Sequence, residues 1–291
     1  MIDYIGPMNK LSTAQRARIV GCLVEGNSIR STCRMTGAAK GTVLKLLVDL
    51  GLACEDYHNR TVVNLPCKRI QADEIWSFVG MKEKRVPESR KGDPDIGDVW
   101  TWTALDPDSK LMASWLVGGR DADYALEFLS DLAQRLRGHV QLTTDGHGAY
   151  LGAVDDAFGI DVSYAQLVKH YGTPPDAERR YSPAVCTGVH TQTIIGRPDP
   201  AHVCTSHVER SNLTIRMSSR RFTRLTNAFS KKVENHRAAI ALHFMHYNFA
   251  RIHQTLRVTP AMEIGISDHV WELEEIVGLL EDRPTQTLPT A

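Results

Sequence analysis

Three acidic residues occupy positions where a carboxylate could do chemistry. Asp73 lies inside a strand-like run with apolar neighbours on both faces, where burying a carboxylate is costly unless a positive charge compensates it. Asp145 directly follows a second strand-like run and precedes Gly146, and Glu209 lies in the first turn of a basic helical segment. Two strand carboxylates and a helical one, carried by an α/β sheet, predict a metal site for phosphoryl transfer.

The chemistry of such a site defines the expected metal. Magnesium prefers hard oxygen ligands, and two ions about 3.5–4 Å apart clamp the attacking and leaving oxygens of an in-line displacement. The pattern therefore predicts two Mg²⁺ ions, with Mn²⁺ as the alternative, bound by Asp73, Asp145 and Glu209. Each residue also has a structural alternative. Asp73 could end a shorter strand, Asp145 could belong to a plain turn, and Glu209 could complete a capping box with Ser206.

The elements that must position these carboxylates follow from hydrophobic periodicity. After residue 66 the apolar period becomes two, and a helix with one apolar face ends at Gly138. The predicted strands are Ile70–Val79, Val99–Leu105, Leu111–Val117 and Val140–Thr144. Three strands, a helix and a further strand predict an α/β layer with a mixed sheet. Residues 151–204 give no clear pattern.

The first fifty residues predict three short helices. A capping-box start at Ser12, a break at Gly37 and a stop at Gly51 give the helix-turn-helix arrangement. Polar side chains off the apolar stripe of the third helix would then meet DNA; these are Lys40, Thr42 and Lys45. The alternative is a small helical cap or an oligomerisation module.

Charge is segregated along a chain whose formal net charge is zero. Residues 205–257 carry a net charge of +8, whereas residues 61–204 carry −5 and residues 258–291 carry −6. A basic stretch beside an acidic centre indicates polyanion binding, although a solvated basic helix face is the alternative. Candidate DNA contacts after Glu209 are Asn212, Arg216, Arg220, Arg221 and Arg224. Arg216 projects on nearly the same side as Glu209, so we expect it to hold the scissile phosphate.

Composition sets the broad class and the domain boundaries. The 291 residues contain six scattered cysteines without a C-x-x-C pair, which fits a reducing cytoplasm, and no apolar run reaches the roughly 20 residues of a membrane helix. We expect a helix-turn-helix domain over 1–52, a linker over 53–66, a catalytic domain over 67–257 and an acidic tail over 258–291.

Four segments resemble a known family. They read ADEIWSFVG, TTDGHGAY, TSHVERSNLTIRMSSRRFTRLTNAFSKK and HYNFARIHQTLRVTPAM, and together they extend over about residues 65–265. These segments are similar to the transposases of the insertion-sequence-one family. Those are DDE enzymes on the ribonuclease H-like fold that retroviral integrases share.

The resemblance implies a fold, an activity and a site. It implies a ribonuclease H-like mixed sheet with flanking helices, behind a small all-α domain. By position Asp73, Asp145 and Glu209 match the DDE triad, with separations of 72 and 64 residues. Trp76 matches the D-E-x-W signature, and Asn212 and Arg216 match the polar face after the glutamate.

The expected partners and location follow from the same resemblance. The protein would bind the terminal inverted repeats of an insertion sequence, cut the DNA and join it to target DNA. It would act on double-stranded DNA as a homo-oligomer, associated with the bacterial nucleoid and not with a membrane. The familiar branch of the family carries a cysteine-rich zinc finger, and the cysteines of this sequence do not form one.

Three alternatives remain open at this stage. His207-x-x-Arg210 followed by Tyr247 mimics the motif of tyrosine recombinases, which are mostly helical around the site. A weak zinc pattern comprises His202, Cys204 and His207. The third alternative is a sequence-specific DNA-binding regulator with an inactive nuclease-like core, which the three intact carboxylates do not favour.

Overall fold

A six-stranded mixed sheet forms the centre of the computed structural model, which describes residues 11–93, 95–172, 185–223 and 227–281. The strands are β1 (Arg69–Val79), β2 (Gly97–Leu105), β3 (Met112–Gly118), β4 (Val140–Thr144), β5 (Val162–Gly172) and β6 (Val185–Ile195). The first four correspond to the predicted strands, with ends that differ by a few residues.

The strand order identifies the fold. The order across the sheet is β3-β2-β1-β4-β5-β6. The first three strands form an antiparallel meander, β4 and β5 run parallel to β1, and β6 returns antiparallel to β5. An antiparallel meander extended by parallel strands, with helices on both faces, is the ribonuclease H-like arrangement that the family resemblance implied, and the mixed α/β sheet is the one that the strand pattern predicted.

Helices cover both faces of the sheet. They are α1 (Thr13–Val24), α2 (Ile29–Thr36), α3 (Lys40–Thr61), α4 (Ala122–Arg135), α5 (Ala149–Phe158), α6 (Ser206–Ser218), α7 (Val233–Met245), α8 (Pro260–Glu263) and α9 (Leu273–Gly278). In the described part of the chain, no helix has the length and apolar character that a membrane crossing would require.

The third helix corrects two sequence predictions. It does not stop at Gly51 but continues to Thr61, so residues 53–61 of the predicted linker are helical. Gly51 serves helix packing instead, because a Cβ built on it would lie only 2.4 Å from the Cα of Ala238 in α7. The predicted capping box at Ser12 and the left-handed break at Gly37 are both present.

The basic helical segment predicted from Glu209 onwards is not one continuous helix. Helix α6 ends at Ser218, a 3-10 turn covers Arg220–Phe222, and α7 begins only at Val233. A π-helical turn, His246–Ala250, then extends α7. The predicted acidic tail is partly folded, since α8 and α9 lie within it and α9 packs on α1.

The hydrophobic core joins the predicted domains. One cluster of buried side chains combines Val20 and Leu50 of the N-terminal helices with Trp102 of β2, Phe128 of α4 and Ile276 of α9. A second cluster fills the space between the other face of β1 and helices α6 and α7. The N-terminal helices are therefore part of the same packed body as the sheet.

Candidate active site

Strand register brings Asp73 and Asp145 together. Strands β1 and β4 are parallel neighbours with Arg69 opposite Gln141 and Gln71 opposite Thr143. The same offset sets Asp73, within β1, beside Asp145, which directly follows β4. Asp73 is thus not a strand-end charge, because β1 continues to Val79. Asp145 does lie in a turn, where its Oδ1 accepts a hydrogen bond from the His147 backbone N–H at 2.9 Å. A turn at this position is compatible with a role of Asp145 in a site.

A third carboxylate in this cluster escaped the sequence analysis. Glu74 contributes a carboxylate oxygen that lies within 4.8 Å of oxygens of Asp73 and Asp145. Within the described ranges, this is the one group of three or more acidic, histidine or cysteine side chains close enough to share an ion. The Asp-Glu pair in the β1 sequence was the available signal. Consecutive strand residues normally point to opposite faces, so the pair gave no reason to group them.

Both carboxylate oxygens of Glu74 are already bonded. Arg120 donates to Oε1 from Nε at 2.7 Å and also forms an ion pair with it, and the Tyr150 hydroxyl donates to Oε2 at 3.0 Å. The Glu74 side chain is almost fully buried. Burial and the neighbouring Asp145 raise the pKa of Glu74, while Arg120 opposes that shift. A buried carboxylate with a cation and a phenol is adequately compensated without a metal.

Asp73 is the electrostatically strained member of the cluster. Burial raises its pKa to about 7, and the negative charges of Glu74, Asp145 and Glu209 add to the rise. Two donors hold its carboxylate: the Glu74 backbone N–H lies 2.9 Å from Oδ1, and Asn212 Nδ2 lies 2.7 Å from Oδ2. A divalent cation beside Asp73 would offset this crowding of negative charge.

Glu209 lies near the cluster but outside it. It is exposed in the first turn of α6, accepts from Thr205 Oγ1 at 2.6 Å, and pairs with Lys169 of β5. The helix is capped by Thr205 without a side-chain hydrogen bond, so the capping box of Ser206 and Glu209 is wrong. The negative charge of Glu209 contributes to the raised pKa of Asp73. The place of Glu209 in a metal-binding triad stays a prediction.

The donor set fits a hard divalent cation. Asp73 and Asp145 offer carboxylate oxygens at the sheet, and Glu209 offers a carboxylate from α6. Glu209 is paired with Lys169, and a divalent cation could replace the lysine ammonium. Oxygen donors of this kind suit Mg²⁺ and Mn²⁺ better than Zn²⁺.

The predicted DNA contacts fall into different environments. Lys40, Thr42 and Lys45 are exposed at the start of α3, and Lys45 pairs with Asp49 at 2.6 Å. Helices α2 and α3 are joined by a three-residue turn whose first residue, Gly37, has a φ of 74°. A short turn of this form suits a helix-turn-helix, although DNA binding there stays a prediction.

The residues after Glu209 also differ from one another. Asn212 is buried and bonded to Asp73, so it faces the carboxylates and not a DNA groove. Arg216 is half-buried and Arg220 is exposed. Arg221 is half-buried, and its Nε donates to Ser230 Oγ at 2.9 Å, which makes it a packing residue. Arg224 lies outside the described residues.

The structure does not support the two alternative sites. Tyr247 is buried, its hydroxyl donates to the Lys110 carbonyl at 3.0 Å, and burial raises its pKa, so it is a poor nucleophile. His202, Cys204 and His207 do not form a metal-ligating group in the described ranges.

Comparison with known proteins gives a limited result. No protein-family model matches the sequence, and no curated protein matches it. Among solved structures, the chain is similar to the Mos1 transposase paired-end complex with left transposon end, at 11% identity and a TM-score of 0.24. It is also similar to the Mos1 mariner paired end complex with Mn, at 10% identity and a TM-score of 0.23. Each match covers 56% of this chain and 61% of the Mos1 chain.

The chain therefore spans about three fifths of the length of the transposase chains that it matches. Similarity at this level adds nothing to the assignment of the fold, which rests on strand order and register.

Proposed function

We propose that this protein is a DNA transposase of the insertion-sequence-one type, which binds terminal inverted repeats and catalyses metal-dependent strand cleavage and strand transfer. The observation that carries the proposal is the register that sets Asp73 beside Asp145 on a ribonuclease H-like sheet. The four sequence segments that resemble the family support the finer assignment.

Asp73, Asp145 and Glu209 are the proposed ligands. Two divalent cations, when bound, would supply charge stabilisation for the attacking and leaving oxygens. Asn212 orients Asp73 through its hydrogen bond, and Lys169 holds Glu209 near the cluster. We assign Glu74 a positioning role, because Arg120 and Tyr150 already occupy both of its oxygens.

The reaction has two in-line steps. A water oxygen attacks phosphorus at the element end, and the bond from phosphorus to the 3′ oxygen breaks, which leaves a 3′-hydroxyl. This hydroxyl then attacks a phosphorus of target DNA, and the displaced oxygen leaves as a hydroxyl on the target strand. No side chain forms a covalent bond with DNA, so the burial of Tyr247 is compatible with the mechanism.

DNA binding is proposed for two exposed basic regions. Lys40 and Lys45 on α3 would contact the element ends, and Arg220 would contact flanking phosphates. Acting on two ends and a target requires several sites at once, and we therefore propose a homo-oligomer on DNA.

The test uses the purified full chain and a supercoiled plasmid that carries the ends recovered by sequencing DNA that copurifies with the protein. We expect nicking with Mg²⁺ or Mn²⁺ and none with EDTA. Asp145→Asn should lower the nicking rate by at least about 100-fold. Asp155→Asn, an equal change at an exposed carboxylate on α5, is the matched control and should cut normally. Nicking in EDTA, or full activity of Asp145→Asn, would reject the proposal.

A second comparison decides the third ligand. Glu209→Gln should abolish nicking and leave the free energy of unfolding nearly unchanged, because Glu209 is exposed. Glu74→Gln should lower the free energy of unfolding by about 1–3 kcal/mol, because it weakens a buried ion pair. If Glu74→Gln abolishes Mn²⁺ binding in calorimetry while Glu209→Gln retains it, Glu74 is the ligand and the assignment reverses.

A further inference from the structure

Asp73 and Glu74 point to opposite faces of the sheet, Asp73 towards Asn212 of α6 and Glu74 towards Tyr150 of α5. A row of aromatic side chains continues from Glu74 along its face. Beyond Glu74, this face of β1 carries Trp76 and Phe78, and the neighbouring strand β2 sets Trp100 opposite Trp76. Phe229 reaches the row from the segment before α7, where Ser230 bridges to Val79. All four rings are half-buried, whereas Trp102, opposite Glu74, is fully buried. We call Trp76, Phe78, Trp100 and Phe229 the aromatic platform.

Three of the four rings of the aromatic platform follow one another in contact. The centroids of Trp76 and Phe78 lie 5.7 Å apart, and those of Phe78 and Phe229 lie 4.7 Å apart. The rings in these pairs are tilted by 35° and 33°. Trp76, Phe78 and Phe229 therefore form a continuous aromatic surface, and Trp100 lies opposite Trp76 in the register of β1 and β2.

Cations lie over these faces. Lys82 Nζ lies 5.4 Å from the Trp76 centroid and 5.7 Å from that of Phe78, and Lys231 Nζ lies 3.5 Å from the centroid of Phe229. The Arg120 guanidinium lies 4.4 Å from the Trp100 centroid. An exposed cation–π contact contributes only about 0.5–1 kcal/mol. This gain is small beside the burial free energy that is forgone when four aromatic rings stay partly in water. A role in stability alone does not account for the arrangement.

The chemistry of the surface matches a nucleic-acid strand. Proteins that bind unpaired nucleotides combine aromatic rings, on which bases stack, with cations that pair with the phosphates. The lysine side chains are long and flexible, so their ammonium groups can move from a ring face to a phosphate while a base takes the face. The one acidic residue paired opposite the platform is Asp98, whose Oδ1 accepts from the Glu83 backbone N–H at 3.1 Å.

Arg120 connects the platform to the carboxylate cluster, since it pairs with Glu74 and also stacks on Trp100. Trp76 follows Glu74 by two residues, which is about 6.6 Å along a strand. We propose that the aromatic platform binds unpaired bases that flank the phosphate held at the carboxylates. This inference rests on the proposed function, because that function brings a DNA strand to the cluster.

The test measures binding in EDTA, so that no cleavage intervenes. The probes are an oligothymidylate, an abasic oligonucleotide of equal length and a duplex, each followed by anisotropy and by tryptophan fluorescence. Phe229→Leu and Phe78→Leu retain apolar volume and remove a π face. We expect each to weaken oligothymidylate binding by about 5-fold or more, and to leave abasic and duplex binding unchanged. Trp271→Leu, which alters an aromatic residue packed on Tyr57 and Phe249, is the matched control and should bind normally.

The outcomes separate this inference from the proposed function. Asp155→Asn, which alters an exposed carboxylate on α5, should bind oligothymidylate like the wild type, with quenched tryptophan fluorescence. Unchanged oligothymidylate binding by both leucine variants, in a protein that still nicks DNA, overturns the platform alone. Equal losses on all three probes overturn it as well, because charge would then account for the binding. Dissociation of an oligomer by Phe229→Leu in light scattering, without an effect on oligothymidylate, would make the surface a contact between copies. Thermal melting of each variant confirms that it is folded.

Discussion

Asn212 shows how one hydrogen bond can set the properties of a proposed metal-ligating carboxylate. Its Nδ2 donates to Asp73 Oδ2 at 2.7 Å from a buried position on α6. Groups that orient a metal ligand in this way typically contribute 10- to 100-fold to metal affinity or activity. The sequence pattern predicts that Asn212 contacts DNA, and these two roles predict different effects of replacing Asn212.

Asn212→Ala should therefore weaken Mn²⁺ binding by about 10- to 100-fold in calorimetry, while DNA affinity in EDTA stays at the wild-type value. Asn212→Asp should be at least as harmful, because a second carboxylate beside Asp73 raises the pKa of Asp73 further. A loss of DNA affinity in EDTA with normal Mn²⁺ binding would restore the DNA-contact role.

Arg220 and Arg221 are adjacent in sequence and allow a matched comparison of an exposed and a packed arginine. Arg220 is exposed, whereas Arg221 is half-buried and bonded to Ser230. Arg220→Ala should flatten the slope of log K against log salt by up to about 0.9 for a lost phosphate contact. Arg221→Ala should leave that slope unchanged and lower the free energy of unfolding by about 1–3 kcal/mol. Anisotropy at several salt concentrations and urea titration check both. Equal salt slopes for the two variants would contradict this division.

At the scale of elements, the contact between α3 and α7 depends on Gly51. Glycine within a helix is normally less stable than alanine by up to about 1 kcal/mol. At Gly51 the order should reverse, because the added methyl would overlap Ala238, and Gly51→Ala should cost about 1–3 kcal/mol in urea unfolding. The control is Gly152→Ala in α5, where no heavy atom lies within 4 Å of the new methyl and stability should rise. Ala238→Gly should not restore the stability of Gly51→Ala, because the atoms nearest the new methyl include the backbone Cα and carbonyl oxygen of Ala238. A Gly51→Ala protein more stable than the wild type would refute the clash.

A buried histidine makes the packing of α7 depend on pH. His236 lies between Ser77 Oγ at 3.0 Å and Ser230 Oγ at 3.3 Å. Burial, with added repulsion from Arg221 and Arg237, lowers its pKa from 6.5 to about 3. The unfolded chain binds a proton below pH 6.5 and the folded chain does not, so this stabilisation is complete above pH 6.5 and declines as pH falls towards 3.

The unfolding free energy of His236→Gln should therefore depend less steeply on pH than that of the wild type. The loss should be about 1.4 kcal/mol per pH unit between pH 6 and pH 4, measured by urea titration. The variant should also be less stable at pH 8, because the pair of serine contacts is altered. The same slope in variant and wild type would show that His236 does not carry this dependence.

At the scale of the whole molecule, the N-terminal helices are packed into the body that contains the sheet. Val20, Leu47 and Leu50 belong to the same buried cluster as Trp102 and Phe128. Each such side chain contributes about 1.5–3 kcal/mol on burial, and a domain has only about 5–15 kcal/mol of net stability.

Deleting residues 1–52, the predicted DNA-binding domain, should consequently leave a chain that does not fold. We expect residues 53–291 to lack a cooperative melting transition in circular dichroism and to elute as aggregate in gel filtration. Lys40→Ala in the full chain is the control, since it alters an exposed residue and should melt normally. A truncated protein with a cooperative transition would show that the two parts are independent domains.

The sequence by itself predicted the first four strands and the acidic residues of the candidate site. Strand and helix periodicity depends on residues two to four positions apart, and it correctly predicted β1 to β4, α4 and the first caps. Asp73 and Asp145 could be singled out because a carboxylate in or beside an apolar strand is costly to bury unless a positive charge or hydrogen bonds compensate it.

Only the tertiary structure decided which side chains meet. Glu74 joined the cluster, Glu209 paired with Lys169, Asn212 faced Asp73, and Gly51 packed on α7 instead of ending α3. The segregated charge indicated a polyanion partner but did not separate exposed Arg220 from packed Arg221. These contacts join residues that lie far apart in the chain or belong to different elements. Local periodicity carries no information about them, because they are set by strand register and by the close packing of helices on the sheet.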